Sequence, residues 1–116
     1  MSIGVTTTLI IPSPANAELV IKSEGNGRGW WAGGPSAYAT NDGTIVLAYR
    51  LRMPVRSGRG YANVVATSQD GVNFETVSRI ERDSFDSDSL ERPWVIQKPN
   101  GGWRLYLSVA TPNSKH

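Results

Sequence analysis

The sequence predicts an all-β fold built on a repeated antiparallel unit, and three observations lead there. Residues 33–50, GGPSAYATNDGTIVLAYR, lie without a gap over residues 91–108, ERPWVIQKPNGGWRLYLS, at a fixed offset of 58. The two copies share Pro35 with Pro93, Gly43 with Gly101 and Leu47 with Leu105, and both read as a short apolar strand, a polar turn and a longer apolar-aromatic strand. Self-similarity at a fixed period is the signature of a repeat architecture. No window shows sustained three-four apolar spacing with a cap and a stop, so helices are not expected. β-branched and aromatic runs instead recur between clusters of Gly, Pro, Asn and Asp, which read as strands between turns.

Taken in order, residues 5–11 and 18–22 are β-branched-rich runs read as strands, separated by Pro12, Pro14 and Asn16. Residues 25–34 are glycine-rich, carry Trp30 and Trp31, and read as a loop. Four strands follow at about residues 36–40, 44–51, 61–68 and 74–80. Asn41-Asp42-Gly43 and Gln69-Asp70-Gly71 are tight hairpin turns, because Asn, Asp and Gly accept positive φ. A longer basic, glycine-rich link covers residues 52–60. Four consecutive antiparallel strands make a meander, the unit called a blade in a propeller. After an acidic, serine-rich loop at 81–89 the pattern restarts at Glu91, giving strands at 94–98 and 103–110. The chain thus reads as one partial β-propeller domain over residues 1–116, with a first full blade at about 36–80 and a second, incomplete blade at about 91–110. A propeller has typically about four to eight blades. The expectation is a fragment of a longer protein, or copies that complete one another, and the open apolar edge at 103–110 is an expected site of self-association.

Composition narrows the function classes. At 116 residues the chain has room for one core. A formal charge of +2, from 12 basic and 10 acidic residues that are scattered rather than stacked, makes nucleic acid a poor partner. The absence of cysteine removes disulfides, thiolate zinc sites and cysteine nucleophiles together. A lone histidine, His116 at the C-terminal tail, cannot supply a histidine metal cluster. No apolar run is long enough to span a bilayer, so no membrane partner is expected. Ala15-Asn16-Ala17 has the form of a small-residue cleavage site, but nothing upstream is basic and the apolar core is only residues 9–11, so it reads as a loop. Lack of cysteine fits the cytoplasm without excluding secretion.

Three stretches carry a family resemblance. Ser68-Gln69-Asp70-Gly71-Val72-Asn73-Phe74 is similar to the S-x-D-G-x-x-F/W turn of sugar-processing β-propellers, in which the aspartate caps backbone amides, glycine supplies positive φ and the aromatic plugs the gap between blades. Glu91-Arg92-Pro93 resembles the E-x-P motif at a blade head of the five-bladed glycosidases, the arabinanase, fructofuranosidase and levansucrase superfamily of glycoside hydrolase families 43, 32 and 68. Ala48-Tyr49-Arg50, followed by G-R-G-Y-A at 58–62 and then the aspartate turn, resembles the phosphorylases and mannosidases of family 130. The resemblance covers residues 30–112 or so. It implies a five-bladed propeller whose innermost strands begin at a central pocket, and it implies Glu91 as general acid.

The chain also departs from those families. Glycoside hydrolysis uses two carboxylates, one protonating the leaving oxygen and one activating water or attacking carbon. Where an R-D-P head would carry an aspartate this chain has Gly33-Gly34-Pro35, and where family 130 carries E-D-P the aspartate's position is Arg92. Glu91 is the one expected carboxylate in view; a partner would lie in a further blade or in the acidic loop as Asp83, Asp86 or Asp88.

The candidate residues each have two readings. Glu91 is a general acid with a raised pKa or a ligand for sugar hydroxyls; the alternative is a salt bridge to Arg92 or another neighbour. Arg50, Arg52 and Arg92, near blade heads, would bind a carboxylate, phosphate or hydroxyl through their planar forks, or else form structural ion pairs. Trp30 and Trp31 would stack on a pyranose face or plug the core between blades. Trp94 and Trp103 read as core. The acidic run 83–88 would bind calcium through oxygen ligands or form a solvated loop, and it reads as the latter because its spacing matches no EF-hand loop. The stretch 56–60 resembles a phosphate-binding loop only superficially, since no helix follows.

The expected function is carbohydrate-active: a glycoside hydrolase-like or glycoside phosphorylase-like protein using carboxylate acid/base chemistry. Glu91 is the candidate catalytic residue, and Trp30, Trp31, Arg50 and Arg92 are the candidate substrate contacts. No metal or cofactor is implied. The alternative is a non-catalytic carbohydrate-binding or structural propeller fragment that has lost its carboxylates, inactive alone.

Overall fold

A computed structural model describes residues 11–113. Antiparallel sheets dominate it. β1 (Trp31–Ala39), β2 (Ile45–Arg52), β3 (Gly60–Ser68) and β4 (Glu75–Glu81) form a four-stranded meander in sequence order. β5 (Ser89–Leu90) pairs with β8 (Val109–Ala110), and β6 (Trp94–Gln97) pairs with β7 (Trp103–Tyr106). None of the three sheets closes on itself. The expected strand at residues 5–11 falls almost entirely outside the described residues, as does His116.

The hairpins obey the turn chemistry of their sequences. At 40–44 the Gly43 amide donates to the Thr40 carbonyl and the Thr40 amide to the Thr44 carbonyl, at 3.0 and 2.9 Å, with Gly43 at φ +87°. At 68–74 the Asp70 carboxylate accepts from the Val72 and Asn73 amides at 2.9 and 2.8 Å, while the Ser68 hydroxyl accepts from the Asp70 and Gly71 amides. Those bonds hold the Asp70 carboxyl far below the usual carboxylate range, the Asn73 amide contributing most. The role of Asp70 is to build the turn.

The repeat holds at atomic register. Ser36↔Ala48, Ala37↔Leu47, Tyr38↔Val46 and Ala39↔Ile45 in the first hairpin become Trp94↔Tyr106, Val95↔Leu105, Ile96↔Arg104 and Gln97↔Trp103 in the second, every residue displaced by 58. The turn follows suit: Gly101 donates to Lys98 and Lys98 to Gly102, with Gly101 at φ +85°.

Alternation along the strands gives the sheet two apolar faces. Leu47, Tyr49 and Leu51 of β2 and Ala62, Val64 and Ala66 of β3 form one core, against which Ile21, Ala32, Tyr61 and Phe74 pack. Val46 and Ala48 face the other way and meet Val95, with Tyr38, Val65 and Leu105 around them. The β6–β7 hairpin therefore lies on this second face, next to β1, where the Ser36 hydroxyl accepts from the Val95 amide at 3.1 Å.

Four expectations need correction. Residues 25–34 are not all loop: β1 begins at Trp31, and pairing of Trp31, Ala32 and Gly33 with Arg52, Leu51 and Arg50 continues past a bulge between Gly33 and Ser36. Gly34 takes the left-handed conformation there, φ +61°, and Pro35, which has no amide to donate, sits where the ladder is interrupted. Residues 18–22 form no strand, for they find no partner edge; Ile21 packs on the first core while Leu19 and Val20 are exposed. The single strand at 103–110 is two, β7 and β8, which pair with different partners. Trp94 and Trp103 are not core but 57% and 43% exposed. Trp94 lies on the uncovered face of a two-stranded hairpin, stacked on Tyr106 at 5.4 Å, and Trp103 lies at the rim of the packed face, edge-on to Tyr38.

Candidate functional site

The site forms where β5 crosses the start of β3, beside the end of β2. Gly60 opens β3, and a Cβ there would come within 1.9 Å of the Leu90 carbonyl oxygen, so only glycine lets β5 pass. The Gly60 amide donates to the Ser89 hydroxyl at 3.0 Å, and both Ser89 and Leu90 are fully buried. β5 thereby delivers Glu91 to a fixed point. Its amide donates to the Ser108 carbonyl at 2.7 Å, and its carbonyl accepts from the Asn63 side-chain amide at 3.3 Å.

Arg50 and Asn63 are direct cross-strand partners on β2 and β3, and they present their side chains to Glu91 from the second face of the sheet. The Arg50 guanidinium bonds the Glu91 carboxylate, and Arg59 reaches the other carboxylate oxygen at 3.4 Å. Only 12% of the Arg50 side chain and 23% of the Glu91 side chain are exposed. Arg59 holds a left-handed backbone, φ +59°, uncommon for a residue with a side chain; its carbonyl accepts from the Met53 amide at 2.8 Å and ties the link between β2 and β3 in place. Among the described residues two buried polar side-chain atoms remain without partners, Arg50 Nε and Asn63 Oδ1.

Burial acts to raise the Glu91 pKa, but the Ser89 hydroxyl and the Arg50 and Arg59 guanidinium groups outweigh it, so the carboxyl lies below its ordinary value. Glu91 is ionised at neutral pH. That is the state of a hydrogen-bond acceptor or base, whereas a general acid must hold its proton.

A shallow cavity of about 250 Å³ opens beside this pair, lined by Arg50, Glu91, Arg92, Ser108 and Val109. Arg92 is exposed, and among the described residues it has no ion-pair partner. The bare and the charged copies of the repeat meet at this point: a Cβ on Gly34 would stand 3.7 Å from Arg92 Cγ. Trp31 supplies the aromatic surface, with the guanidinium of Arg50 at 4.8 Å and that of Arg52 at 5.5 Å from its ring centroid.

Of the sequence-expected residues, Glu91, Arg50, Arg92 and Trp31 come together. Trp30 does not join them. It belongs to the opposite face, edge-on to Tyr61 at 6.0 Å. There Glu24 accepts from the Tyr61 hydroxyl at 2.6 Å and from Arg79 at 2.8 and 3.0 Å. Nor do the acidic-loop residues reach Glu91: Asp83 pairs with Arg82, and Asp83 and Asp88 line a separate open hollow with Arg56, Arg59 and Arg82. Among the described residues no three His, Cys, Asp or Glu side chains gather as a metal site.

Sequence reasoning missed Arg59, Asn63 and Ser89. A signal existed for Asn63, the one amide side chain inside the apolar run Tyr-Ala-Asn-Val-Val-Ala of β3. A second existed for Arg59, flanked by Gly58 and Gly60.

No protein-family model matches the chain, and neither a curated protein nor a solved structure matches it.

Proposed function

We propose that this chain forms a sugar-binding head of a carbohydrate-active β-propeller of the five-bladed glycosidase type. Two hairpins of identical register, with their heads in contact at Gly34 and Arg92, support the propeller reading, because adjacent blades bring the heads of their innermost strands to a common pocket. The observation that carries the function is Glu91 at the start of the second hairpin, its pKa lowered, held by Arg50 and Arg59 and open to a cavity with Arg92 beside it. Fixed guanidinium donors, a carboxylate acceptor and a neighbouring indole are the groups that bind vicinal hydroxyls and the apolar face of a sugar ring.

A second reading, glycoside hydrolysis or phosphorolysis with Glu91 as acid, is favoured by the burial of its side chain, which alone would raise the pKa. That chemistry requires a bound substrate to draw Arg50 and Arg59 away from the carboxylate. Self-association belongs to the proposal as well: among the described residues, β4 and β7 each have one edge that no strand pairs.

Calorimetric titration with neutral mono- and oligosaccharides, beside a panel of chromogenic glycosides assayed with and without phosphate, tests these readings. Binding that Trp31→Ala and Glu91→Gln both weaken, without turnover, is the expected result. Turnover abolished by Glu91→Gln moves the assignment to the second reading. Absence of both binding and turnover across the panel overturns the carbohydrate assignment.

A further inference from the structure

The charge around the cavity is unbalanced. Arg50 and Arg59 share the single carboxylate of Glu91, while Arg92 on the cavity wall and Arg52 over Trp31 have no carboxylate partner among the described residues. Two guanidinium groups thus bond the one carboxylate and a third, Arg92, lines the cavity beside it, in a chain whose whole formal charge is only +2. Glu91 does not saturate its own partner, since Arg50 Nε is buried with no acceptor. Of the acidic loop, Asp83 is engaged by Arg82, and Asp83 and Asp88 line a neighbouring hollow that Arg59 shares, whereas neither lines the cavity with Arg92. At the facing strand head Gly34 offers Arg92 no side chain, although a Cβ there would stand 3.7 Å from Arg92 Cγ.

We propose that the sugar taken by this site carries an oxyanion, a carboxylate or a phosphate on the ring, with Arg92 as the residue that selects it. The inference rests on the sugar-binding reading and deepens it. The planar fork of a guanidinium matches two oxygens of either group, and such charge-assisted pairs are about twice as strong as neutral hydrogen bonds. An uncharged sugar leaves Arg92 with water as its partner, so the anionic member of an otherwise identical pair binds more tightly.

The test is a set of titrations at low ionic strength with four probes: methyl glucuronide, glucose 6-phosphate, methyl glucoside and inorganic phosphate. At least one of the two anionic sugars is expected to bind about ten- to a hundredfold more tightly than the glucoside. The preference should shrink as salt is raised. Arg92→Gln should bring the anionic and neutral sugars to within a few-fold of each other. Gly34→Asp should do the same from the other side, by setting a carboxylate against Arg92 in a left-handed conformation that aspartate tolerates. Because Arg92 is exposed, its replacement leaves the buried packing untouched.

Equal affinity for the anionic and neutral sugars overturns this inference and leaves the sugar-binding reading standing. Inorganic phosphate binding as tightly as glucose 6-phosphate, with no gain for the glucuronide, also overturns it and assigns the site to a free anion. Absence of binding by all four probes overturns both.

Discussion

Replacing Arg50 by methionine removes the guanidinium that holds Glu91 while keeping most of the side-chain volume. Two opposite charges about 4 Å apart attract by about 4 kcal/mol at an effective dielectric of about 20. Exposed pairs are worth about 0–1 kcal/mol, and breaking a fully buried pair costs about 3–5 kcal/mol. With side-chain exposures of 12% and 23%, the Arg50–Glu91 pair stands between these limits. Two features reduce the loss: Arg59 still faces Glu91 at 3.4 Å, and the substitution removes the buried Nε that has no acceptor. A net destabilisation of about 1–2 kcal/mol follows, or roughly 4–8 °C in melting temperature for a domain of this size. The loss should depend on pH. The folded-state pKa of Glu91 is depressed, so its contribution is present above the unfolded carboxylate value and is lost as pH falls through the folded value. Urea unfolding followed by tryptophan fluorescence at pH 7 and at about pH 3 is the assay. Arg50→Met should be less stable than the parent at pH 7, with the gap narrowing in acid. Equal stability at pH 7, or a gap of the same size at both pH values, would refute the reasoning, since neither is compatible with an ion pair as the cause.

Other predictions follow from the same geometry. Gly60→Ala drives a methyl group into the Leu90 carbonyl oxygen, which would be 1.9 Å away, and displaces β5 from β3; a loss of about 3 kcal/mol or more is expected in denaturant titration. Leu90→Ala, at a fully buried position, should cost about 2–5 kcal/mol; a loss below 1 kcal/mol would mean that β5 is not packed against the sheet as described. Asp70→Ala should lower stability at pH 7 but much less in acid, because the pKa of Asp70 is depressed on folding and its contribution is full only above the unfolded carboxylate value and falls away as pH drops towards the folded one; thermal melts across pH 2–7 measure this.

The repeat carried more structural information than any single motif. The offset of 58 and the shared glycine were legible in the sequence, and β6 and β7 repeat the register and the positive-φ glycine turn of β1 and β2 at that same offset. The aspartate turn at 68–74 was equally legible, since Ser, Asp and Gly at those spacings satisfy one another's backbone groups locally. What the sequence concealed was determined at long range. Pro35 looks like a strand boundary but lies in a bulge, because pairing with Arg50 and Arg52 resumes beyond it. Trp94 and Trp103 have the composition of core residues, and their exposure depends on whether anything covers the β6–β7 hairpin. Trp30 and Trp31 are neighbours in sequence, yet they point to opposite faces of the sheet. The candidate site was half legible: Glu91, Arg50, Arg92 and Trp31 could be named, but the contribution of Arg59 depends on a left-handed residue in the link between β2 and β3 and that of Asn63 on β5 crossing above it. The lowering of the Glu91 pKa depends on Ser89, Arg50 and Arg59, which only the fold brings to it, so spacing along the chain does not contain it.

The measurement that tests the account most directly is the titration of the Glu91 side-chain carboxyl, followed by its carbon chemical shift in labelled protein and assigned by comparison with Glu91→Gln. A midpoint below the ordinary glutamate value, which rises when Arg50 is replaced by methionine, is the predicted result. A midpoint above the ordinary value in the parent protein would contradict the account, place burial ahead of the arginines and return Glu91 to the role of a proton donor.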